Sequence, residues 1–337
     1  MAEPTGPEQE SAVAEPTGPE QQSAVAEPTG SEQKPGNTLQ EIIMHFVDAK
    51  GILTTSGGRC GMNIYRGCTH GCIYCDGRSR CYQFTHPFED VEVKQNAPEL
   101  LEKALRSKRK KCMIGTGSMS DPYMHCEEQF RLTRRCLEII NRYGFGVSIQ
   151  TKSDRILQDL DLLDEINRSA KCVVQMTLTT WDDELCGILE PNVCNTKRRI
   201  EVLGMMQERG IPTIVWMTPV LPFINDTEEN ITAILDACVR TGVKGVIDFG
   251  MGLTLREGDR EYYYAALDRH FPGLKERYVR TYGNAYELPS PKAKELKGIF
   301  SRICRDSGML ATPEECFAFM SELPERYPQM SIFDLER

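Results

Sequence analysis

Apolar, β-rich runs alternate with amphipathic helical stretches over about 200 residues of this 337-residue chain. The stretches between the runs, such as TKRRIEVLGMMQERG (196–210), have helical apolar spacing, and several end at glycine. Such alternation predicts a parallel sheet covered by helices, and right-handed crossovers can close this sheet into a full or partial barrel. The predicted strands are GMNIYR (61–66), CMIGTG (112–117), GVSIQT (146–151), CVVQMTLTT (172–180), PTIVWMTPV (212–220) and GVIDFG (245–250). In this α/β class, functional residues lie at the carboxyl ends of the strands.

The two ends of the chain differ from this central region. Residues 1–37 contain three copies of a twelve-residue unit that begins AEPTG, and this segment has too few apolar residues to form a core. We predict a disordered tail over 1–38, a core over 39–255, a helical C-terminal cap over 256–328 and a short final tail over 329–337.

Charge and hydropathy narrow the function classes. The formal charge is −9, but seven Glu and one Lys in residues 1–37 account for −6 of it, so the remainder is close to −3. A nearly neutral body neither indicates nor excludes binding to nucleic acid. Apolar runs are shorter than the roughly 18 residues of a membrane helix, and the N-terminus lacks the pattern of a signal peptide. We therefore expect a cytoplasmic protein without a membrane partner, in which the fourteen cysteines stay reduced.

Three cysteines form a compact group directly after the first predicted strand. Cys68, Cys72 and Cys75 have the spacing Cys-x3-Cys-x2-Cys in a loop that is rich in glycine. Three thiolates on one loop can hold three irons of a [4Fe–4S] cluster and leave the fourth iron without a protein ligand. A structural zinc site is the alternative, and it would require a fourth ligand from Cys81, His70 or Cys60.

The cysteine spacing, Tyr74 before the third cysteine and the position after the first strand resemble the radical S-adenosylmethionine (radical SAM) enzymes. The resemblance implies a partial (β/α)6 TIM-like barrel with a [4Fe–4S] cluster and S-adenosylmethionine as cofactors. In that family one electron from the cluster cleaves S-adenosylmethionine to methionine and a 5′-deoxyadenosyl radical, which removes hydrogen from a substrate. The resemblance also implies an electron donor such as flavodoxin or ferredoxin.

A closer resemblance, over about residues 60–290, is to the subgroup related to spore photoproduct lyase. It rests on the phrases YRGCTHGCIYC, GTGSMSDPY, QTKSD, LEPNV, PVLPFINDTEEN and RTYGNAYE. The resemblance implies that Lys152 pairs with the cofactor carboxylate and that Thr177 and Thr179 line its ribose. It places further cofactor contacts at Tyr74, Gly115, Thr116, Gly117, Ser118, Ser120 and Asp121.

Two positions depart from the lyase pattern. Ser118 occupies the place of a cysteine that, in our alignment, returns hydrogen to the product radical in the lyase, and an aliphatic O–H is a poor hydrogen-atom donor. Asp76 follows the third cysteine, where the lyase has a tyrosine. The repair cycle of the lyase is therefore not implied, and the catalytic residues stay open among the weak candidates Ser118, Cys81 and Cys126, with Cys112 as a further thiol.

The final tail contains the sequence Gln329-Met330-Ser331-Ile332-Phe333. It resembles the pentapeptide with which bacterial repair proteins and polymerases bind the DNA sliding clamp, where Gln329, Ile332 and Phe333 would fill a groove. Packing of Ile332 and Phe333 at the end of a C-terminal helix is the alternative.

These observations leave three functions open: a radical enzyme that acts on DNA, a radical enzyme that acts on a peptide or small metabolite, and a non-catalytic iron–sulfur or zinc protein that acts as a sensor or scaffold.

Overall fold

The computed structural model describes residues 44–56 and 59–324. The chain divides into two units, Met1–Leu39 and Gln40–Arg337, and the described residues all belong to the second. The predicted repeat tail (1–38) and the pentapeptide (329–333) lie outside the described residues.

The strands and helices appear in alternating order along most of the chain. The strands are β1 (Met44–Val47), β2 (Leu53–Ser56), β3 (Arg59–Met62), β4 (Tyr65–Arg66), β5 (Val91–Lys94), β6 (Met113–Thr116), β7 (Gly146–Thr151), β8 (Cys172–Thr177), β9 (Thr213–Trp216), β10 (Gly245–Ile247), β11 (Gly252–Thr254) and β12 (Glu287–Pro289). The helices are α1 (Ala97–Ser107), α2 (Glu127–Phe130), α3 (Leu132–Arg142), α4 (Leu160–Ser169), α5 (Asp183–Leu189), α6 (Thr196–Glu208), α7 (Glu228–Arg240), α8 (Asp259–His270), α9 (Leu274–Tyr282), α10 (Ala293–Ser307) and α11 (Pro313–Ser321).

The main sheet has the strand order β10-β9-β8-β7-β6-β3-β2. From β3 to β10 every neighbouring pair is parallel, whereas β2 pairs with β3 in the antiparallel direction. The parallel strands follow one another in chain order with helices between them, as in a (β/α) barrel that is not closed. The predicted α/β partial barrel is therefore confirmed.

Of the six predicted strands, 146–151 keeps its limits as β7. The predictions 112–117, 212–220 and 245–250 are shortened to β6, β9 and β10, and the remaining two differ in other ways. The run 61–66 is divided, because Met62 ends β3 whereas Tyr65 and Arg66 pair with β5 in a separate sheet of order β1-β5-β4. The run 172–180 ends at Thr177. The carbonyl of Thr179 accepts hydrogen bonds from the side-chain amides of Asn225 (2.7 Å) and Asn230 (3.0 Å), so these loop contacts take the place of a strand partner.

The segment predicted as a helical cap has three separate locations. Helix α10 packs against α7 and contributes Leu296 and Phe300 to the core outside the barrel. Helices α8 and α9 contribute Tyr263 and Tyr278 to an apolar cluster that also contains Tyr74 of the cysteine loop. Helix α11 lies against the inner face of the sheet. The cap is thus spread over several faces of the barrel.

Helix α11 fills the amino end of the barrel. Its Cys316 and Met320 form a buried cluster with Met113, Val173 and Ile214, together with Ile247, from the inner faces of the strands. Lys171 Nζ, just before β8, donates to the carbonyls of Phe319 (2.6 Å) and Glu322 (2.9 Å) at the end of this helix.

Glycine at the start of β10 makes room for this helix. A Cβ at Gly245 would lie 2.7 Å from Leu310 Cβ and 2.9 Å from Cys316 Sγ. Above this apolar layer, Gln175 links Ser148 and Trp216 through side-chain hydrogen bonds of 2.8 Å each. The barrel interior is therefore filled at its amino end, and open space remains at the carboxyl end.

Within the described ranges, no helix combines the length and the apolar character needed to cross a lipid bilayer.

Candidate functional site

The cysteine loop begins directly after β4 at Gly67, which no other residue could replace without backbone strain. Gly67 has φ +95°, and a Cβ there would lie 2.5 Å from the carbonyl oxygen of Phe88. The same carbonyl accepts the backbone N–H of Cys68 at 3.0 Å. Farther along, the backbone N–H of Ile73 donates to the carbonyl of Leu189 at 3.0 Å. The loop is thus anchored by backbone contacts on both sides of Cys72.

The three predicted cluster ligands lie together in this loop. Cys68 and Cys72 are buried and Cys75 is half-buried. Burial raises the pKa of Cys68 to about 12, although backbone N–H groups near its sulfur oppose the shift. Burial also raises the pKa of Cys72 and of Cys75 above the ordinary thiol value. Without a metal the thiols keep their protons, and metal binding would displace them.

The spacing of these thiols does not suit a single zinc ion. Four thiolates around zinc, with bonds of about 2.3 Å, stand about 3.8 Å apart. Among the described residues, the three thiols do not belong to any group of ligand atoms that all lie within 4.8 Å of one another. The wider spacing leaves room for a larger inorganic group.

The residues considered as a fourth zinc ligand each have another neighbour. Cys60 Sγ is 3.2 Å from Cys112 Sγ, beside the start of β6. His70 Nδ1 is 3.4 Å from Asp121 Oδ2. Cys81 Sγ contacts Ser79 Oγ and Arg256 Nη1, each at 3.2 Å.

Buried polar atoms beside the loop indicate room for a polar ligand. Thr69 Oγ1, His70 Nε2 and Ser120 Oγ are buried and have no hydrogen-bond partner among the described residues. Unpaired buried polar atoms are costly and call for an explanation such as a bound group. The residues present therefore fit a cluster with an additional polar ligand beside it.

A cavity of about 610 Å³ opens at the carboxyl ends of the strands. Its lining includes four predicted residues, Tyr74, Cys75, Ser118 and Lys152. The other lining residues are Asp76, Gly77, Tyr82, Met119, Thr218, Pro219, Phe249, Gly250, Gly252, Leu253, Thr254, Tyr286, Glu287, Leu288 and Pro289. A predicted cluster ligand, predicted cofactor contacts and open volume thus meet at one place.

Lys152 contributes a fixed positive charge to this cavity. Burial acts to lower the pKa of Lys152, but the negative charges of the Cys72 and Cys75 thiolates, where these are deprotonated, and of the Glu190 carboxylate outweigh it, so the pKa is raised. The Lys152 Nζ lies 5.9 Å from the centre of the Tyr74 ring. The ammonium group therefore stays charged beside the loop.

A buried ion pair beneath the loop was missed from the sequence. Glu190 accepts a hydrogen bond from Tyr74 OH, and its carboxylate lies 2.5 Å from Arg199 Nη1. Burial alone would raise the pKa of Glu190, but Arg199 and Lys152 hold it below the ordinary value. The phrase LEPNV contains Glu190 and was a usable signal, whereas Arg199 resembled one more exposed charge in an amphipathic helix.

The loop after β6 is built around Gly117 and Asp121. A Cβ at Gly117, where φ is +97°, would lie 2.0 Å from the carbonyl oxygen of Gln150. Asp121 Oδ1 accepts from Thr151 Oγ1 at 2.7 Å, and Asp121 Oδ2 accepts from the backbone N–H of Lys152 at 2.8 Å. Asp121 thus joins the loop after β6 to the residues after β7, and it fixes the root of Lys152.

Other predicted residues lie near the cavity without appearing in its lining. Gly115 and Thr116 belong to β6, and Thr177 ends β8. Thr179 is buried, and its Oγ1 lies 3.5 Å from Glu190 Oε1. Of the thiol candidates, Cys126 is buried beside Tyr65 and Cys81 is exposed at the rim beside Arg256. The structure brings neither thiol into the lining.

Comparison with known proteins gives one family and one fold. The model of the radical SAM superfamily matches residues 62–238. An uncharacterised protein of Mycobacterium tuberculosis (strain H37Rv) is 30% identical over 244 residues, which cover 71% of each chain. An uncharacterised protein of Methanocaldococcus jannaschii is 32% identical over 174 residues, which cover 51% of this chain and 64% of the relative.

Among solved structures, spore photoproduct lyase with its dinucleoside spore photoproduct superposes with a TM-score of 0.59 at 13% identity, covering 80% of this chain and 81% of the lyase chain. A mutant of that lyase with bound S-adenosylmethionine and the same dinucleoside gives a TM-score of 0.56 at 12% identity, covering 75% of each chain. At these identities the likeness concerns the fold.

Proposed function

Because the chain belongs to the radical SAM superfamily, we propose that it removes a hydrogen atom from a substrate that enters the cavity at the carboxyl ends of its strands. As a member of that superfamily it is an enzyme, and its cofactors are a [4Fe–4S] cluster and S-adenosylmethionine. When bound, the reduced cluster would supply the one electron that cleaves S-adenosylmethionine, and the resulting radical would take the hydrogen atom. The observation that carries the proposal is the cavity of about 610 Å³, which opens directly on Cys75 and Lys152.

The residues of the site have separate tasks in this proposal. Cys68, Cys72 and Cys75 would hold three irons, and the burial of Cys68 and Cys72 would limit the access of water to the cluster on that side. Lys152 binds the carboxylate of S-adenosylmethionine with its ammonium group. The buried pair of Glu190 and Arg199 orients Tyr74, which lines the cavity, through the hydrogen bond from the tyrosine hydroxyl.

We propose that the substrate group is a nucleobase held outside the DNA stack. It would enter the open end of the cavity, which we call the mouth. Two aromatic side chains in the cavity lining are largely exposed, Phe249 at 57% and Tyr286 at 45%. The guanidinium of Arg256 lies 5.1 Å from the centre of the Tyr286 ring. Aromatic rings and guanidinium planes are the surfaces on which proteins stack unpaired bases. Damage that weakens pairing lowers the cost of extruding a base, so a DNA lesion is the favoured substrate.

The fold likeness to spore photoproduct lyase supports this choice of substrate class, since that enzyme has been solved with a dinucleoside photoproduct. The hydrogen-return step needs a different residue here, because Ser118 lines the cavity where the lyase pattern has cysteine. Cys81 is the exposed thiol candidate for this step, and Arg256, which lies against the ring of the cavity residue Tyr286, contacts its sulfur.

A peptide or small metabolite is the second candidate substrate. Two acidic side chains, Asp76 and Glu287, line the cavity. Carboxylates repel a phosphodiester backbone and attract cationic groups, so the same mouth would accept a basic or neutral substrate.

The test is an anaerobic assay of 5′-deoxyadenosine. The full chain is reconstituted with iron and sulfide, reduced, and given S-adenosylmethionine without DNA, with intact DNA or with ultraviolet-irradiated DNA. Formation of 5′-deoxyadenosine that rises with irradiated DNA, or deuterium exchange between cofactor and that DNA, supports the nucleobase proposal. If the amount of 5′-deoxyadenosine is the same with and without DNA, a peptide or small metabolite is supported as the substrate. If a chain with a fully loaded cluster forms no 5′-deoxyadenosine, the proposed activity is contradicted.

Two variants make the assay specific. The triple replacement of Cys68, Cys72 and Cys75 by Ala should abolish iron binding and 5′-deoxyadenosine, whereas Cys238→Ala, at a buried thiol outside the loop, should retain both. Phe249→Ala should leave basal cofactor cleavage unchanged within about twofold and remove most of the increase caused by the substrate. An increase that survives in Phe249→Ala would argue against stacking at the mouth.

A further inference from the structure

A second cluster of metal-ligand side chains lies on the small sheet that precedes the cysteine loop. In the order β1-β5-β4, strand pairing places His45 opposite Glu92 and Glu92 opposite Arg66. The segment before β5 folds over this row and adds His86 and Asp90. Two imidazoles and two carboxylates therefore converge on rigid strands and a short loop.

The distances suit a single ion. One ligand atom each from His45, His86 and Glu92 lies within 4.8 Å of the other two. His86 Nε2 is 3.0 Å from Glu92 Oε1. Ligand atoms around a four-coordinate ion with bonds of about 2.0–2.2 Å are about 3.3–3.6 Å apart, so small side-chain rotations would complete the site.

The second nitrogen of each imidazole already has the kind of partner that metal-binding histidines use. His45 Nδ1 is 2.8 Å from Asp90 Oδ1, and His86 Nδ1 is 3.0 Å from the carbonyl oxygen of Pro87. A carboxylate or carbonyl at Nδ1 holds the proton on that nitrogen, which leaves Nε2 as the nitrogen to bind metal. At His86 the ion would displace the hydrogen bond between Nε2 and Glu92 Oε1. Both rings are oriented in this way by neighbouring groups.

We propose that His45, His86 and Glu92 bind one divalent transition-metal ion, with zinc as the best match and Asp90 as the residue that positions His45. Two imidazoles and one carboxylate form a ligand set typical of zinc, and water can occupy the fourth position. The site is accessible, because the side chain of His45 is 42% exposed, whereas those of His86 and Glu92 are 17% and 16% exposed.

The positive charge of Arg66 opposes metal binding at this site. Its Nη1 lies 2.5 Å from Glu92 Oε1, the oxygen that also faces His86. The guanidinium is fixed by the carbonyls of Tyr82 and Gln83 and by the ring of Phe84, so it does not need Glu92 to stay in place. Glu92 Oε2 is the oxygen that would turn toward the ion, and the charges of Asp90 and Glu92 offset that of Arg66.

The position of the site gives the ion a structural task. The segment from His86 to Asp90 includes Phe88, whose carbonyl accepts the backbone N–H of Cys68 at 3.0 Å. An ion that joins His86 to β1 and β5 would therefore fix the segment to which the first cluster ligand is anchored. This inference does not depend on the substrate or on radical chemistry.

The test uses the full chain with its cluster loaded, treated anaerobically with a mild chelator and then titrated with Zn²⁺. We expect one zinc per chain in addition to cluster iron, counted by plasma mass spectrometry, with His45 and His86 as ligands. His45→Ala and His86→Ala should each raise the dissociation constant at least tenfold, and the double variant should lose the site. His270→Ala, at an exposed histidine of α8, is the matched control and should bind like the wild type.

X-ray absorption at the zinc edge identifies the ligands even if a variant folds poorly. Two imidazole shells with oxygen and no sulfur support the proposal. Sulfur ligands would place the zinc on cysteines, and a double variant that binds like the wild type would place it elsewhere. If the wild type retains no zinc at about 10 µM Zn²⁺, the side chains of His45, His86 and Glu92 form only a hydrogen-bonded ion-pair network. Each of these three results overturns the site.

Discussion

Lys152 is the residue at which the fold most directly controls charge in the cavity. Its backbone N–H donates to Asp121 at 2.8 Å, and its carbonyl oxygen lies 3.3 Å from Cys194 Sγ. The main chain is thus held on both sides while the side chain points toward Tyr74. A cation whose backbone is held in this way can bind an anionic group with little loss of conformational entropy.

Replacing this cation should weaken cofactor binding. We expect Lys152→Ala to reduce the affinity for S-adenosylmethionine at least tenfold, equivalent to about 1.4 kcal/mol, because the carboxylate partner is lost. Iron content should not change, since Lys152 is not a cluster ligand. Equilibrium binding to the loaded enzyme measures the effect, with Lys110→Ala at an exposed position as the control. Equal affinity in both variants would remove Lys152 from the cofactor site.

Glu127 is a buried carboxyl group outside the cavity with an unusual pKa. Tyr65 OH and the backbone N–H groups of Thr133 (2.7 Å) and Arg134 (3.4 Å) donate to it. Burial nevertheless raises the pKa of Glu127 to about 7. The folded state therefore binds a proton that the unfolded state has already released between about pH 4.5 and 7.

The free energy of unfolding should therefore decrease as the pH rises. The stabilising contribution of protonated Glu127 is complete below its ordinary pKa and is lost as pH rises through about 7. Glu127→Gln removes this titration, so its urea midpoint should fall less than that of the wild type between pH 5 and 8. Glu128→Gln, at an exposed neighbour, should keep the wild-type slope. Parallel curves for wild type and Glu127→Gln would contradict the assignment.

At the level of single residues, the sequence predicted what is local and missed what is distant. The three cysteines occur within eight residues, so their spacing was readable directly. The contact between Tyr74 and Glu190 joins positions 116 residues apart, and Arg199 completes it from α6. Glu190 lies in the phrase LEPNV, but no local pattern links it to Tyr74 or Arg199, because only the fold brings these distant positions together.

Among the secondary-structure elements, α11 has the least expected position. The helices of the barrel were predictable from apolar periodicity, because each buries one face. The strands were predictable as short continuous apolar runs, because strands such as β8 are buried on both faces. Helix α11 instead contacts the inner face of the sheet, and its sequence PEECFAFMS is apolar over more than one face. In the structure Cys316 and Met320 are buried, Phe317 and Phe319 are half-buried and Ala318 is exposed, so the apolar composition of this helix was the available signal for its contact with the sheet.

The fit of α11 can be tested at the glycine that it faces. Gly245→Ala should lower the free energy of unfolding by about 1–3 kcal/mol, because the added methyl group would overlap Leu310 and Cys316. Gly298→Ala in α10 is the control, since a Cβ at that position would have open space within 4 Å and alanine is the better helix former by about 1 kcal/mol. Urea unfolding of both variants measures the difference. Equal stabilities would mean that α11 yields to the extra methyl group.

For the molecule as a whole, the cavity and the last described residues lie at opposite ends of the barrel. The cavity opens at the carboxyl ends of the strands, whereas a Cβ on Gly146 at the start of β7 would lie 3.0 Å from Leu323 Cδ1. A partner that binds beyond residue 324 could therefore be held without covering the cavity. This arrangement is compatible with the clamp-binding prediction for 329–333.

Removal of the final tail should separate binding from chemistry. Deleting residues 329–337 should weaken binding to a bacterial DNA sliding clamp at least tenfold and leave 5′-deoxyadenosine formation unchanged within about twofold. Replacing Gln329, Ile332 and Phe333 together by Ala should reproduce the deletion. Surface plasmon resonance with immobilised clamp measures the binding. Unchanged affinity in both variants would remove the clamp as a partner.

Filling the amino end of the barrel with α11 also has a kinetic consequence. Within the described chain, ligands reach the cysteine loop from the carboxyl side of the strands. A molecule that binds directly against this loop must enter before a second molecule that binds nearer the opening of the cavity. It must also leave after that second molecule. We therefore expect compulsory-order kinetics, in which S-adenosylmethionine binds first and excess substrate slows the exchange of spent cofactor.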